Sequence, residues 1–216
     1  RGHLSLILPA RTKLSRGHHK AEPYLSVPQI LTQLRSRQAV AALALEFTIL
    51  TAARTGEVIG ATWDEIDIAK GIWTISAKRM KAGREHRVPL SKRAMEIVQH
   101  VKLLDGSYVF SGPKGGPLSG MAMAMLLRRM KTDVTVHGFR SSFRDFAAES
   151  TSYPHEVCEM ALAHAVAGRV EAAYRRGDLF EKRRELMADW AEHCNAQISG
   201  TAEVVPLRGV AGGDHG

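Results

Sequence analysis

Val40-Ala-Ala-Leu-Ala-Leu-Glu-Phe-Thr-Ile-Leu-Thr-Ala-Ala-Arg-Thr-Gly-Glu57 is apolar almost throughout and then turns polar at one arginine. Val40, Leu43, Phe47 and Leu50 recur at spacings of 3, 4 and 3, the period of an α-helix. Leu45 and Ile49 fall on the other faces. A helix over about Gln38 to Ala53 therefore has little solvent side and belongs at the centre of a core. The run is too short for a membrane span. Arg54 stands where the helix gives out, followed by Gly56 and, three residues on, Glu57. A buried or half-buried guanidinium must be paired, and Glu57 is placed to orient it. Alone, the segment also fits a plain structural ion pair.

Working outward, Ser26 can cap a helix running to about Ser36, with Pro28 tolerated in its first turn. Thr55 can cap a short helix at Glu57–Ala61. The period then changes. Ile66–Ile68, Ile72–Ser76 and His86–Leu90 are strand-like, separated by Lys70-Gly71 and the basic turn Arg79–Arg84. This predicts a small antiparallel sheet. Helices return at Ser91–Leu103, Ser119–Lys131, Gly138–Ser150 and Pro154–Leu162. The last, about Leu179 to Ile198, repeats Leu179, Leu186, Trp190, Cys194 and Ile198 at spacings of 7, 4, 4 and 4. It is either core in its own chain or a face for a neighbouring subunit. The fold class expected is mainly α with a small antiparallel β-sheet (α+β). Residues 1–24 read as a linker, 25–198 as one domain, and the Gly-rich 199–216 as a disordered tail.

The 216 residues carry 30 Lys+Arg against 22 Asp+Glu, a formal charge of +8, which suits a polyanionic partner. A merely solvated basic surface fits the same numbers. Cys158 and Cys194 match no metal spacing and imply no disulfide framework, so a reducing, cytoplasmic setting is expected. Leu4 to Leu8 is too short for a signal peptide. Three apparent motifs fail. His155-Glu-Val-Cys-Glu lacks the second His of a zinc protease, and Ser111-Gly-Pro-Lys-Gly-Gly-Pro lacks the Gly-Lys-Ser/Thr of a nucleotide loop. Arg176-Gly-Asp178 spells an adhesion tripeptide inside an intracellular-looking domain.

Three more segments join Arg54 and Glu57. Arg79-Met-Lys81-Ala-Gly-Arg84 puts a lysine on a tight turn, free to reach a substrate or merely solvated. His137-Gly-Phe-Arg140 places an imidazole and a guanidinium at i and i+3, one face of a helix, and a helix starting at Gly138 would offer free N–H groups to an anion. A capped helix start explains it too. Ala161-Leu-Ala-His164 is followed ten residues later by Tyr174, then Arg175 and Arg176. Small Ala172 and Ala173 leave that tyrosine accessible.

Taken in order, Arg54…Lys81…His137-Gly-Phe-Arg140…His164…Tyr174 resembles the catalytic domain of tyrosine recombinases, the phage integrase family. The strings Ala-Arg-Thr-Gly-Glu, Arg-Met-Lys with Val-Pro-Leu-Ser, His-Gly-Phe-Arg and Glu-Ala-Ala-Tyr-Arg-Arg are similar to those of prophage and genomic-island integrases. The resemblance spans roughly Ser26 to Ile198. One box departs: Leu-Ala-His164 stands where many relatives have Leu-Gly-His.

The resemblance implies site-specific recombination, the integration or excision of a mobile element, by transesterification. Tyr174 would be the nucleophile, forming a 3′-phosphotyrosine. Arg54, Arg140 and His164 would bind the nonbridging oxygens, Lys81 would protonate the leaving 5′-oxygen, and His137 would assist deprotonation of Tyr174. Glu57 would orient Arg54 or His137. Arg79, Arg84, Arg175 and Arg176 are expected to meet DNA. Neither cofactor nor metal is expected. The partners implied are double-stranded attachment-site DNA and three more copies of the chain, a homotetramer on DNA, with no membrane. Family members usually carry an N-terminal core-binding domain, to which residues 1–24 would be the linker. Two alternatives stay open: a non-catalytic DNA-binding remnant, and a nicking enzyme like the type IB topoisomerases.

Overall fold

Helix α2 (Val40–Thr51) lies at the centre, and Ala42 and every residue from Ala44 to Thr51 are buried. The structure is a computed structural model describing residues 20–104, 106–164 and 177–196. α2 packs against α1 (Val27–Arg35), α3 (Thr55–Ile59), α4 (Lys92–Lys102), α5 (Ala122–Arg129) and α8 (Phe180–Asn195). Its polar residues are satisfied within this crowd. Thr48 and Thr51 hydroxyls donate to the carbonyls one turn back, each at 2.7 Å. Buried Glu46 accepts from Arg35 at 2.7 Å and Arg93 at 2.8 Å, the pairing that a buried carboxylate requires.

Three strands form one antiparallel sheet in the order β1 (Ile66–Asp67), β2 (Ile72–Ile75), β3 (His86–Pro89). Alternation turns Trp73 and Ile75 inward. The Trp73 ring lies 5.4 Å from that of Phe47 on α2, and Phe110 lies 5.3 Å from Phe47. Ile75 pairs with His86, so residues 76–85 form the hairpin that carries Arg79, Lys81 and Arg84. The mainly helical α+β class is as expected from the sequence.

Helices α6 (Gly138–Glu149), α7 (His155–Ala161) and α8 close the other side. Trp190 packs its ring 5.6 Å from Phe143 and 5.1 Å from Phe146, and its indole N–H reaches the Ile49 carbonyl of α2 at 2.9 Å. Leu186, Trp190 and Cys194 are buried in their own chain, so α8 is a core helix.

Two local expectations are corrected. Thr55 does not cap α3: Arg54 holds the N-cap position in extended conformation, and the Glu57 carboxylate takes its N–H at 2.7 Å. The carboxylate one turn in thus supplies the reaching-back half of a capping box, with no hydroxyl at the cap. Ser26 does precede α1, yet its side chain makes no capping bond. Lys20 to Glu22, at the end of the expected linker, lie against α6. The Lys20 carbonyl accepts from Thr135 N at 3.1 Å, and the Glu22 carbonyl accepts from the Ser142 hydroxyl. A Cβ on Gly138 would stand 2.1 Å from the Lys20 oxygen, so only glycine fits beneath this segment.

Candidate active site

Arg140 is 5% exposed, and two helix ends receive it. α2 stops at Ala52, whose left-handed φ of 48° turns its carbonyl toward Arg140 Nη1, which donates to it. α7 stops at Leu162, whose carbonyl accepts from Nη2 at 2.6 Å. Helix C-termini carry partial negative charge, so two of them suit a buried cation. Among the described residues Nε has no hydrogen-bond partner. Burial, and then the charge of Arg54, lower the proton affinity of Arg140 to a pKa of about 10. It remains a cation at neutral pH, beside a second one.

Arg54 is that second cation. Its Nη1 donates to Glu57 Oε1 at 2.7 Å while its own N–H holds Oε2. Glu57 thus orients Arg54 through two bonds and is itself buried. Arg79, expected at DNA, is turned inward instead. Its guanidinium bonds Glu65 and the Glu57 carbonyl, and its side chain is 24% exposed. It braces the Arg54–Glu57 turn from behind.

His164 reaches the same place by a tight helix end. Ala163 N donates to Met160 O at 3.1 Å and His164 N to Glu159 O at 2.9 Å, the paired bonds of a Schellman turn. The turn needs a left-handed residue, and Ala163 supplies it at φ 49°. This is why glycine is favoured at that position, and the imidazole keeps its register with alanine. His164 Nε2 lies 3.1 Å from Arg140 Nη2 and Nδ1 lies 2.9 Å from Glu159 Oε2. Glu159 Oε1 faces Arg144 Nε at 3.3 Å, near enough to pair but out of line for a hydrogen bond.

The remaining candidates are placed less tightly. His137 sits exposed at the N-cap of α6, one turn before Arg140. Of the N–H groups expected free at this helix start, that of Gly138 is taken by the Thr135 hydroxyl at 3.0 Å and carbonyl at 2.9 Å, and that of Arg140 by the His137 carbonyl at 3.1 Å. Lys81 and Arg84 are exposed on the hairpin between β2 and β3. Tyr174, Arg175 and Arg176 lie outside the described residues.

Several residues escaped the sequence reading. His86 lines the same cleft as Glu57, Arg140 and Leu162. Burial, reinforced by the Arg183 charge, pushes its pKa down to about 4, so it is neutral near pH 7. Asp178 accepts both Nε and Nη2 of Arg87 at 2.8–3.1 Å and Nη2 of Arg183 at 2.8 Å. Arg183, buried, also donates to the Arg87 carbonyl at 2.6 Å. Phe180 lies under Arg87, 4.6 Å from ring centre to guanidinium. The chain four residues beyond Tyr174 is thereby tied to β3. Glu159 was missed too; its only signal was its distance of five residues before His164.

Arg140 therefore stands between a second guanidinium and an imidazole from distant parts of the chain, a set suited to a phosphate or similar oxyanion. Among the described residues no group of three or more His, Cys, Asp or Glu could hold a metal ion. No helix among them is long and apolar enough to cross a membrane.

Comparison with known proteins places the chain in a family. The sequence model of the phage integrase family matches residues 25–178. Prophage integrase IntA of Escherichia coli (strain K12) is 34% identical over 192 residues, covering 83% of this chain and 46% of that protein. The chain spans about half the length of the curated relatives it matches. Among solved structures, the integrase from mycobacterium phage Brujita superposes with a TM-score of 0.60 at 17% identity, covering 85% of this chain and 62% of that one. A lambda integrase tetramer bound to a Holliday junction gives 0.56 at 18% identity, covering 74% and 51%. These two likenesses concern the fold.

Proposed function

The chain belongs to the phage integrase family, and we propose that it is the part of an integrase that cuts and rejoins DNA strands at attachment sites, integrating or excising a mobile element. The observation that carries this reading is that Arg140 lies beside both the Arg54 charge and the His164 imidazole. Two like charges held together, one of them buried, are a site waiting for an anion. Burial, and after it the nearby Arg54 charge, lower the proton affinity of Arg140, and a phosphate bound beside the two guanidiniums would offset both.

In the proposed reaction the Tyr174 oxygen attacks the scissile phosphorus. The bond to the 5′-oxygen breaks, leaving a 3′-phosphotyrosine and a free 5′-hydroxyl. Free tyrosine, with a pKa of about 10, holds little phenolate at neutral pH, so His137 assists by taking the phenolic proton. Lys81, on the exposed hairpin, protonates the leaving oxygen. Arg54 and Arg140 hold the nonbridging oxygens as charge gathers on them, and His164 donates a further hydrogen bond. A 5′-hydroxyl from the partner strand then reverses the step. The phosphodiester is exchanged rather than hydrolysed, and no nucleotide is consumed. Arg84, Arg175 and Arg176 are proposed phosphate contacts, and the working assembly is a tetramer on DNA, as in the lambda complex above.

The test is a suicide duplex whose cleaved strand loses its 5′-hydroxyl fragment by diffusion. The chain, extended upstream to full length where the gene continues, should accumulate a protein–DNA adduct, and Tyr174→Phe should abolish it. A folded wild-type protein that binds attachment-site DNA without forming the adduct refutes catalysis and leaves a binding remnant. Relaxation of supercoiled plasmid without strand exchange would instead mark a nicking enzyme.

A further inference from the structure

Arg140 and His164 meet at an atom pair that dictates a protonation state. A guanidinium N–H can only donate, so His164 Nε2, 3.1 Å from Arg140 Nη2, must present its lone pair. The ring proton then sits on Nδ1, aimed at Glu159 Oε2 at 2.9 Å. Without DNA, His164 is therefore a neutral acceptor. To donate to a phosphate through Nε2 while Nδ1–H stays on Glu159 it must gain a proton there, and the ring, whose side chain is 37% exposed, has a carboxylate in direct contact to balance that charge. Glu159 is the carboxylate in contact with it, and the Schellman turn fixes it five residues away.

We propose that Glu159 is a positioning residue that holds His164 in its Nδ1–H form and then stabilises its imidazolium, so that binding of the scissile phosphate is coupled to uptake of one proton from solvent at His164 Nε2. This rests on the reading of the cleft as a phosphodiester site. On binding, the Arg140 Nη2–His164 contact opens, the Arg140 donor turns to the phosphate, and the newly protonated Nε2 donates to a nonbridging oxygen. No covalent bond changes; one proton moves from bulk water to the ring. Against His164 stand Arg140 on α6 and Glu159 on α7, with Arg144 on α6 beyond Glu159; Arg54 and Glu57 at the α2–α3 turn and His86 on β3 lie around Arg140. Arg144 pairs with the far oxygen of Glu159 and tempers its charge. Glu57 is engaged by Arg54, and the carboxylate bonded to His164 is Glu159.

Glu159→Gln separates the two duties. The amide oxygen still accepts from Nδ1–H, but the charge is gone. Without that charge the imidazolium loses its contacting counter-ion. The variant should form the Tyr174 adduct at least about tenfold more slowly than wild type at pH 8. It should regain rate as the pH falls toward 6, and Glu159→Asp should restore much of the alkaline activity. Calorimetric titration of attachment-site duplex into wild type, in buffers of different ionisation enthalpy, should report close to one proton taken up. His164→Asn should abolish that uptake. ¹⁵N imidazole shifts of wild-type His164 provide a readout that needs no variant: Nδ1–H neutral without DNA, doubly protonated with it. A neutral ring in the complex, or a Glu159→Gln pH profile parallel to wild type, overturns the inference. Absence of any wild-type adduct overturns the functional reading instead, so the two failures are distinct.

Discussion

Arg140 shows how much one residue can be asked to hold. It closes two helix ends, faces a second arginine and touches the imidazole expected beside it on DNA. Lysine cannot fork to both carbonyls. Arg140→Lys should therefore slow adduct formation by roughly 10²-fold or more. It should also destabilise the fold by about 1–3 kcal/mol, because a buried carbonyl is left without a donor. Urea unfolding and single-turnover cleavage together check both. His86 gives a pH prediction. Its folded pKa of about 4 lies below the ordinary value of 6.5, so the unfolded chain binds the extra proton. Stability is fully present above pH 6.5 and is lost as the pH falls toward 4. A shift of that size corresponds to about 3 kcal/mol as an order of magnitude. His86→Gln should flatten the decline between pH 7 and 4.5, and an equally steep variant would show that another group is responsible.

At the scale of elements, the site is assembled by helix terminations. The alternation of Trp73 and Ile75, and the all-round apolar α2, were legible because they are periodic. So were Arg54, Glu57, Arg140 and His164, as motif residues. The terminations were not. Whether Thr55 or Arg54 takes the N-cap depends on where a glutamate folds back. Occupancy of the Gly138 N–H by Thr135 and the cover of Lys20 over that glycine depend on contacts of low sequence signal. Glu159 lies five residues from His164, a spacing that straight helix geometry would put on different faces. Only the left-handed Ala163 brings them together. Ala163→Gly should raise stability by about 1 kcal/mol, since glycine carries no left-handed penalty. It should leave the His164–Glu159 bond intact, and thermal unfolding tests this. Asp178 anchors the chain just beyond Tyr174. Asp178→Ala strands buried Arg183 and should destabilise the fold by about 2 kcal/mol. Adduct formation should fall even where the protein stays folded. An unchanged cleavage rate would show that the anchor serves packing alone.

For the whole molecule, a net charge of +8 and the proposed phosphate site at Arg140 lead to the expectation that binding is dominated by phosphates. A protein making about six such contacts loses about 10³-fold in affinity between about 50 and 200 mM salt. A flat response would remove the basic surface from the account. The central claim remains that Tyr174 takes the DNA strand. The alternatives among the chain's four tyrosines are distinguishable. Tyr153 donates to Asp189 at 2.9 Å, and burial together with that carboxylate pushes its pKa up to about 12, which suits a poor nucleophile. Tyr24 sits against Phe146 and His193. The most direct measurement is peptide mapping by mass spectrometry of the adduct trapped on suicide DNA. A nucleotide remnant is expected on the peptide holding Tyr174 and on no other. A remnant on Tyr153, Tyr108 or Tyr24, or a persistent adduct in Tyr174→Phe, would contradict it.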